Sequence, residues 1–228
     1  MTDITYGFAF DDGRRAEFTF RFDPEIFELA TAERAEWPDW THLACERCDG
    51  CPLEDGAQRC PVAAALVDVV ESSAGIVSHH GLVATVSSGD RTVTARLSAQ
   101  DALRSLMGLV IPASGCPDTA FLRPMARFHL PFSSPEETLY RVASMYRLAQ
   151  HVRRDEGLEE DPGFGGLLAA YDRLNAVNRH LVERLRVATR RDSAPNAVTL
   201  LDVFAQLLPM QLDEPLEELR PLFEAYLR

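Results

Sequence analysis

The sequence predicts an α+β protein: N-terminal antiparallel β-hairpins with helices and a cysteine-rich metal loop, then a C-terminal helical bundle. Three observations carry that reading. Two stretches, 4–22 and 82–97, alternate apolar and polar residues across a turn signal, the mark of half-buried strands. From Ser98 onward apolar residues recur at helical spacing behind recognisable helix starts. Between the two strand pairs, four of the five cysteines fall within the sixteen residues from Cys45 to Cys60. Residues 1–132 are expected to form a sheet-and-helix part carrying the cysteine site, and 133–228 an α-helical part packed against it as one structural unit.

In the first hairpin Ile4, Tyr6, Phe8 and Phe10 share one face, as do Phe18, Phe20 and Phe22 on the partner strand. Setting Phe8 opposite Phe18 and Tyr6 opposite Phe20 keeps every large residue on one side; a one-residue slip sets Phe8 against Glu17. That register asks for an odd-length loop with Gly13 at positive φ. Asp23-Pro24-Glu25 reads as the start of a short helix that buries Ile26, Leu29 and Ala30 and ends before Pro38. Trp37 and Trp40 are expected to pack as a lid over the core. Pro61 opens a helix with Val62, Leu66, Val69 and Val70 buried and Gly75 as its stop. In the second hairpin Gly89-Asp90 is a two-residue turn, so Val86, Ala84 and Leu82 face Val93, Ala95 and Leu97. The two hairpins are expected to join in one four-stranded antiparallel sheet.

Ser98-Ala-Gln-Asp101 caps a helix to about Ile111, with Leu103, Leu106, Met107 and Val110 inward. Pro112 ends it, and Ser114-Gly115-Cys116-Pro117 makes a tight turn presenting Cys116. Ser134-Pro135-Glu136-Glu137 starts a helix to about Arg154 that buries Leu139, Val142, Ala143, Tyr146 and Ala149. The acidic run 155–161 reads as a solvated connector. After Gly163-Phe164-Gly165-Gly166 comes a long amphipathic helix with Leu167, Tyr171, Leu174, Asn178, Leu181 and Leu185 on one stripe. No Lys-Ser/Thr follows those glycines, so they are not a phosphate loop. Asn178 is expected to be satisfied by a neighbouring helix backbone. Pro195 opens a further helix (Val198, Leu201, Phe204, Leu208), and Pro215 and Pro221 segment a short helical tail.

Composition narrows the function classes. With 46% apolar residues the chain can bury a real core. The N-terminus lacks the basic and apolar regions of a secretory signal, and no apolar run approaches the ~20 residues that span a bilayer. A cytoplasmic protein without a membrane partner is therefore expected. A net charge of −12 argues against nucleic acid, which calls for a basic face. All 23 basic residues are arginine, so no lysine is on hand for a Schiff base. In a reducing cytosol, clustered cysteines in odd number point to ligands or redox groups rather than disulfides.

Cys45-x2-Cys48-x2-Cys51 resembles the ligand run of bacterial ferredoxins, with the last ligands displaced to Cys60 and Cys116. Cys51, Cys60 and Cys116 each precede a proline, which stiffens the turn and leaves neighbouring amides to point at sulfur. Cys60 also sits at a helix N-cap, where free amides and the dipole favour a thiolate. The expected ligands are Cys48, Cys51, Cys60 and Cys116, with Cys45 spare and His129 a substitute or supporting ligand. A single well-formed knuckle favours an iron–sulfur cluster of the 4Fe–4S type, with zinc, which usually takes two knuckles, as the alternative.

The motifs Cys48-x2-Cys51-Pro52-Leu53, Cys60-Pro61-Val62-Ala63, Ser114-Gly115-Cys116-Pro117 and Arg127-Phe128-His129-Leu130-Pro131-Phe132 resemble an uncharacterised bacterial family, a domain of unknown function. The resemblance spans nearly the whole chain, leaves Cys45 outside the pattern, and brings no activity, cofactor or catalytic residue with it. The expected role is electron transfer or redox sensing with a protein partner, not catalysis. The alternative is a zinc-stabilised protein-interaction module on the same four cysteines; a thiol enzyme using Cys60 or Cys116 comes third.

Overall fold

The alternating segments become β1 (Thr2–Phe10), β2 (Arg15–Phe22), β3 (Gly81–Ser88) and β4 (Arg91–Ser98), one antiparallel sheet in the order β2-β1-β3-β4. The structure is a computed structural model that describes residues 2–31, 33–72, 76–188 and 219–227. The second hairpin has the expected register, Val86 against Val93, Ala84 against Ala95 and Leu82 against Leu97, with Gly89 at φ +57°. Its outer strand is thinly covered, and Val93 is exposed.

The first hairpin differs from expectation by two residues. Tyr6 pairs with Phe18 and Phe8 with Ala16, in place of Phe20 and Phe18. The loop decides this. Phe10 N donates to Arg14 O (2.9 Å) and Gly13 N to Phe10 O (3.0 Å), so Gly13 (φ +88°) closes a three-residue loop instead of sitting at its centre. A two-residue shift leaves the face unchanged, and Tyr6, Phe8, Phe18 and Phe20 are all buried.

The helix expected after Asp23 does not form. Asp23 Oδ1 accepts from Glu25 N and Ile26 N, and Phe27 then turns to φ +52°. Phe27 stacks on Phe22 with ring centroids 4.3 Å apart, and Leu29 bridges back to Phe22. Burying two stacked rings outweighs the weak helical preference of a short segment, and Ile26 is left in solvent. Trp40 is buried and Trp37 packs partly buried against the core, as the lid reading expects, and the guanidinium groups of Arg34 and Arg59 also lie over the Trp37 ring.

After Pro61 the chain makes α1 (Pro61–Ala65) and α2 (Val67–Ser72), broken at Leu66, with Val62, Leu66, Val69 and Val70 buried. α3 (Ala99–Ala113) lies on the sheet, capped by Ser98 Oγ on Asp101 N (3.3 Å). It runs one residue past Pro112, which has no N–H to donate to the Gly108 carbonyl one turn back, and ends at Ala113. α4 (Arg123–Arg127) is short. α5 (Pro135–Asp155) starts in a complete capping box between Ser134 and Glu137. Its stripe drifts at the far end: Ala149 is exposed and Gln150 is buried instead, accepting from Asp161 N (2.9 Å). Asp161 is no solvated connector residue either. Its carboxylate accepts from Tyr146 Oη and Gly166 N and so caps α6 (Gly165–Ala188).

Two apolar clusters result. The larger joins the inner sheet face, α1 to α3 and Leu181, Val182 and Leu185 of α6; the smaller joins Leu139, Val142 and Ala143 of α5 to Leu167, Tyr171 and Leu174 of α6. Gly75, the segment from Pro195 and Pro215 lie outside the described residues, and the chain after Leu219 makes a 3-10 turn over Arg220–Tyr226. Among the described residues no helix is long and apolar enough to cross a membrane.

Candidate functional site

The cysteine loop is closed at its base and shaped by distant side chains. Cys60 N donates to Thr41 O (2.9 Å) and Leu43 N to Gln58 O (3.0 Å), while His42 bridges Arg59, so residues 41–43 and 58–60 form a two-stranded clamp. Inside it the chain folds through turns. Cys51 N donates to Cys48 O (3.1 Å), and Glu46 and Gly50 take positive φ of 45° and 70°. Arg47 reaches the Leu53 carbonyl (2.7 Å) and the Asp55 carboxylate (2.6 Å), and it also donates to the Cys51 sulfur.

The larger restraint comes from α6. Arg184 is 2% exposed, and its guanidinium donates to the carbonyls of Trp40 (2.7 Å), His42 (2.7 Å) and Glu46 (3.3 Å). One buried cation thus fixes three points of the approach to the cysteines, sharing the His42 carbonyl with Cys45 N (3.0 Å). One turn earlier on α6, His180 Nε2 accepts from Asp49 N (3.3 Å). Neither residue is visible as a site residue from sequence. The signal each leaves is a polar side chain on the mostly apolar side of a long helix.

Cys116 arrives from the other side. Gly115 takes φ +90°, and a Cβ there would stand 3.0 Å from Glu28 Oε1, so only glycine makes this turn without strain. Cys116 is buried, and the backbone N–H groups of Asp118 and Thr119 both donate to its sulfur. Pro117 has no N–H of its own and directs the chain so that the next two amides face the thiol.

Burial and neighbouring thiols act on two of the cysteines. Burial pushes the Cys48 thiol up to about 12, and the neighbouring thiols of Cys60, Cys51 and Cys116 add to the rise, against the pull of Arg184. Burial likewise raises Cys116, to about 11, with Cys60 contributing. The loop thiols and the Cys116 thiol thus act on one another electrostatically. All five cysteines are thiols, and Cys45 and Cys60 also pack on the main core. Cys60 is the N-cap of α1, with no side-chain hydrogen bond to the helix. Among the described residues no three His, Cys, Asp or Glu side chains meet in a group that could hold one metal ion.

His129 has a different setting. Its Nε2 lies 2.5 Å from Tyr6 Oη, which is 2.9 Å from Ser105 Oγ, in the first half of α3; Cys116 follows the far end of that helix. Burial, with Arg141 nearby, holds the imidazole neutral, its pKa lowered to about 3. Asn178 also departs from expectation: its side chain is buried, and Nδ2 has no hydrogen-bond partner.

No curated protein and no solved structure matches the chain. A family model does: DUF6901, a domain of unknown function, aligns with residues 4–224. The match takes in both hairpins, the cysteine loop, Cys116 and α3 to α6 together, and the chain belongs to the DUF6901 family.

Proposed function

We propose that Cys48, Cys51, Cys60 and Cys116 hold a 4Fe–4S cluster, and that the protein serves electron transfer or redox sensing in the cytoplasm through a protein partner. What supports this reading is the spacing of Cys48, Cys51, Cys60 and Cys116 in the sequence, together with the thiols of Cys60, Cys51 and Cys116 each raising the Cys48 pKa. Four sulfurs around one zinc stand about 3.8 Å apart, as tetrahedral bonds of 2.3 Å require. A cubane gives each thiolate its own iron and so holds its ligands wider. The four cysteines offer one thiolate to each iron of such a cluster.

The surroundings support the same reading. Two amides on the Cys116 sulfur and Arg47 on the Cys51 sulfur are the hydrogen bonds that stabilise thiolates and tune the potential of a cluster. Arg184 adds buried positive charge near Cys48. A bound cluster supplies one-electron chemistry; the protein's part is to fix four thiolates and limit solvent access.

Visible spectra of the protein and its five single Cys→Ser variants, prepared without oxygen, test this. The parent and Cys45→Ser should be brown, and Cys48→Ser, Cys51→Ser, Cys60→Ser and Cys116→Ser bleached. A colourless parent with one zinc per chain would turn the assignment to a zinc-stabilised interaction module.

A further inference from the structure

A cavity of about 140 Å³ lies between α3, the 128–135 segment, α5 and α6. Its body is apolar, with Met107, Ile111, Met125, Tyr171 and Leu174 on the walls, and its volume is close to the ~150 Å³ of a cavity that admits benzene.

Three features mark it as more than a packing defect. The first is Gly108. It stands mid-helix in α3, where glycine is a poor choice, and a Cβ added there would meet nothing within 4 Å. Gly108 lines the cavity, so what its missing side chain preserves is the space itself. The second is Asn178 Nδ2, a buried donor without a hydrogen-bond partner on a residue of the lining. A buried donor left unmade is costly and asks for an acceptor. Asn178 is 1% exposed on a stripe where its neighbours Leu174 and Leu181 are apolar. The third is charge: Arg104 and Arg141 are in the lining and no carboxylate is, although Arg104 Nε also faces Asp101 Oδ1 at 3.8 Å outside it.

We propose that this cavity binds a small aromatic or branched aliphatic monocarboxylate. Its apolar body lies against Met107, Ile111, Tyr171 and Leu174, and its carboxylate accepts from Asn178 Nδ2 in the field of the two arginines. The site is separate from the cysteines in its ligand and in its test.

Isothermal titration of the full chain with benzoate, benzamide and toluene decides the matter. Benzoate should bind at least tenfold tighter than the other two. Asn178→Leu should weaken benzoate about tenfold, the worth of one buried hydrogen bond, while leaving the iron content unchanged. Gly108→Phe, which fills the cavity, should abolish binding. Benzoate binding no tighter than benzamide or toluene, full benzoate affinity in Gly108→Phe, or no binding of any of the three by the parent protein would each overturn the proposal. The first and last of these need no variant to fold.

Discussion

The four-stranded sheet and the cysteine loop lie in the same half of the chain and are held by opposite means. The sheet carries its own ladder, and its buried face interlocks aromatic rings such as Phe8 and Phe18, 5.6 Å apart. The loop has a two-stranded clamp at its base and turns above it; what shapes it further is Arg184, reaching across from α6 to three of its carbonyls. Each hairpin of the sheet is therefore specified locally, and only the β1–β3 seam joins distant segments. A loop of this kind is specified by what it meets, whether a guanidinium or a metal.

Metal removal should give the largest effect on that contrast. Stripping the site anaerobically should cost several kcal/mol, because metal binding and ordering of the loop are one equilibrium. Amide exchange should rise across 41–60 while β1 and β3 stay protected; loss of protection in both at once would mean the sheet depends on the site. Phe8→Ala should come next, at about 3–5 kcal/mol for a buried ring, with iron content unchanged after refolding. Arg184→Met should cost about 1–3 kcal/mol by leaving the buried Trp40 carbonyl unpaired, and its exchange signature should sit in the loop rather than in β1–β3. A denaturant midpoint within error of the parent's would remove Arg184 from the account.

A pH series sharpens the comparison on the sheet side. His129, against Tyr6 of β1, has its pKa lowered from about 6.5 to about 3 by burial and by Arg141. A lowered value means that the unfolded chain takes up the proton first. The contribution of His129 is thus complete above pH 6.5 and lost as pH falls toward 3. His129→Gln should flatten the decline between those limits; an unchanged slope would show that other groups set it.

How much of this was legible in the sequence varied with how local its cause is. The β3–β4 register follows from Gly89-Asp90 because a two-residue turn permits one pairing. The β1–β2 pairing came out two residues away because Gly13 fits either of two odd loops, and alternation is blind to a two-residue shift. Asp23-Pro24-Glu25 reads as a helix start or as a side-chain-capped turn, and only the stacking of Phe27 on Phe22 decides between them. The candidate ligands could be picked out from spacing alone. Arg184 and His180 could not, since a charged residue on a helix means nothing until the loop it serves is in place. Asn178 stood out on its apolar stripe, but the cavity beside it is a product of packing among several helices and leaves no trace in spacing.

The central claim is that thiols from two distant segments share one polynuclear site. Iron, acid-labile sulfide and zinc measured together on protein prepared without oxygen test it most directly. The account predicts iron and sulfide in equal amounts, about four of each per chain, with negligible zinc. One zinc per chain with no sulfide, or no metal at all, would contradict it.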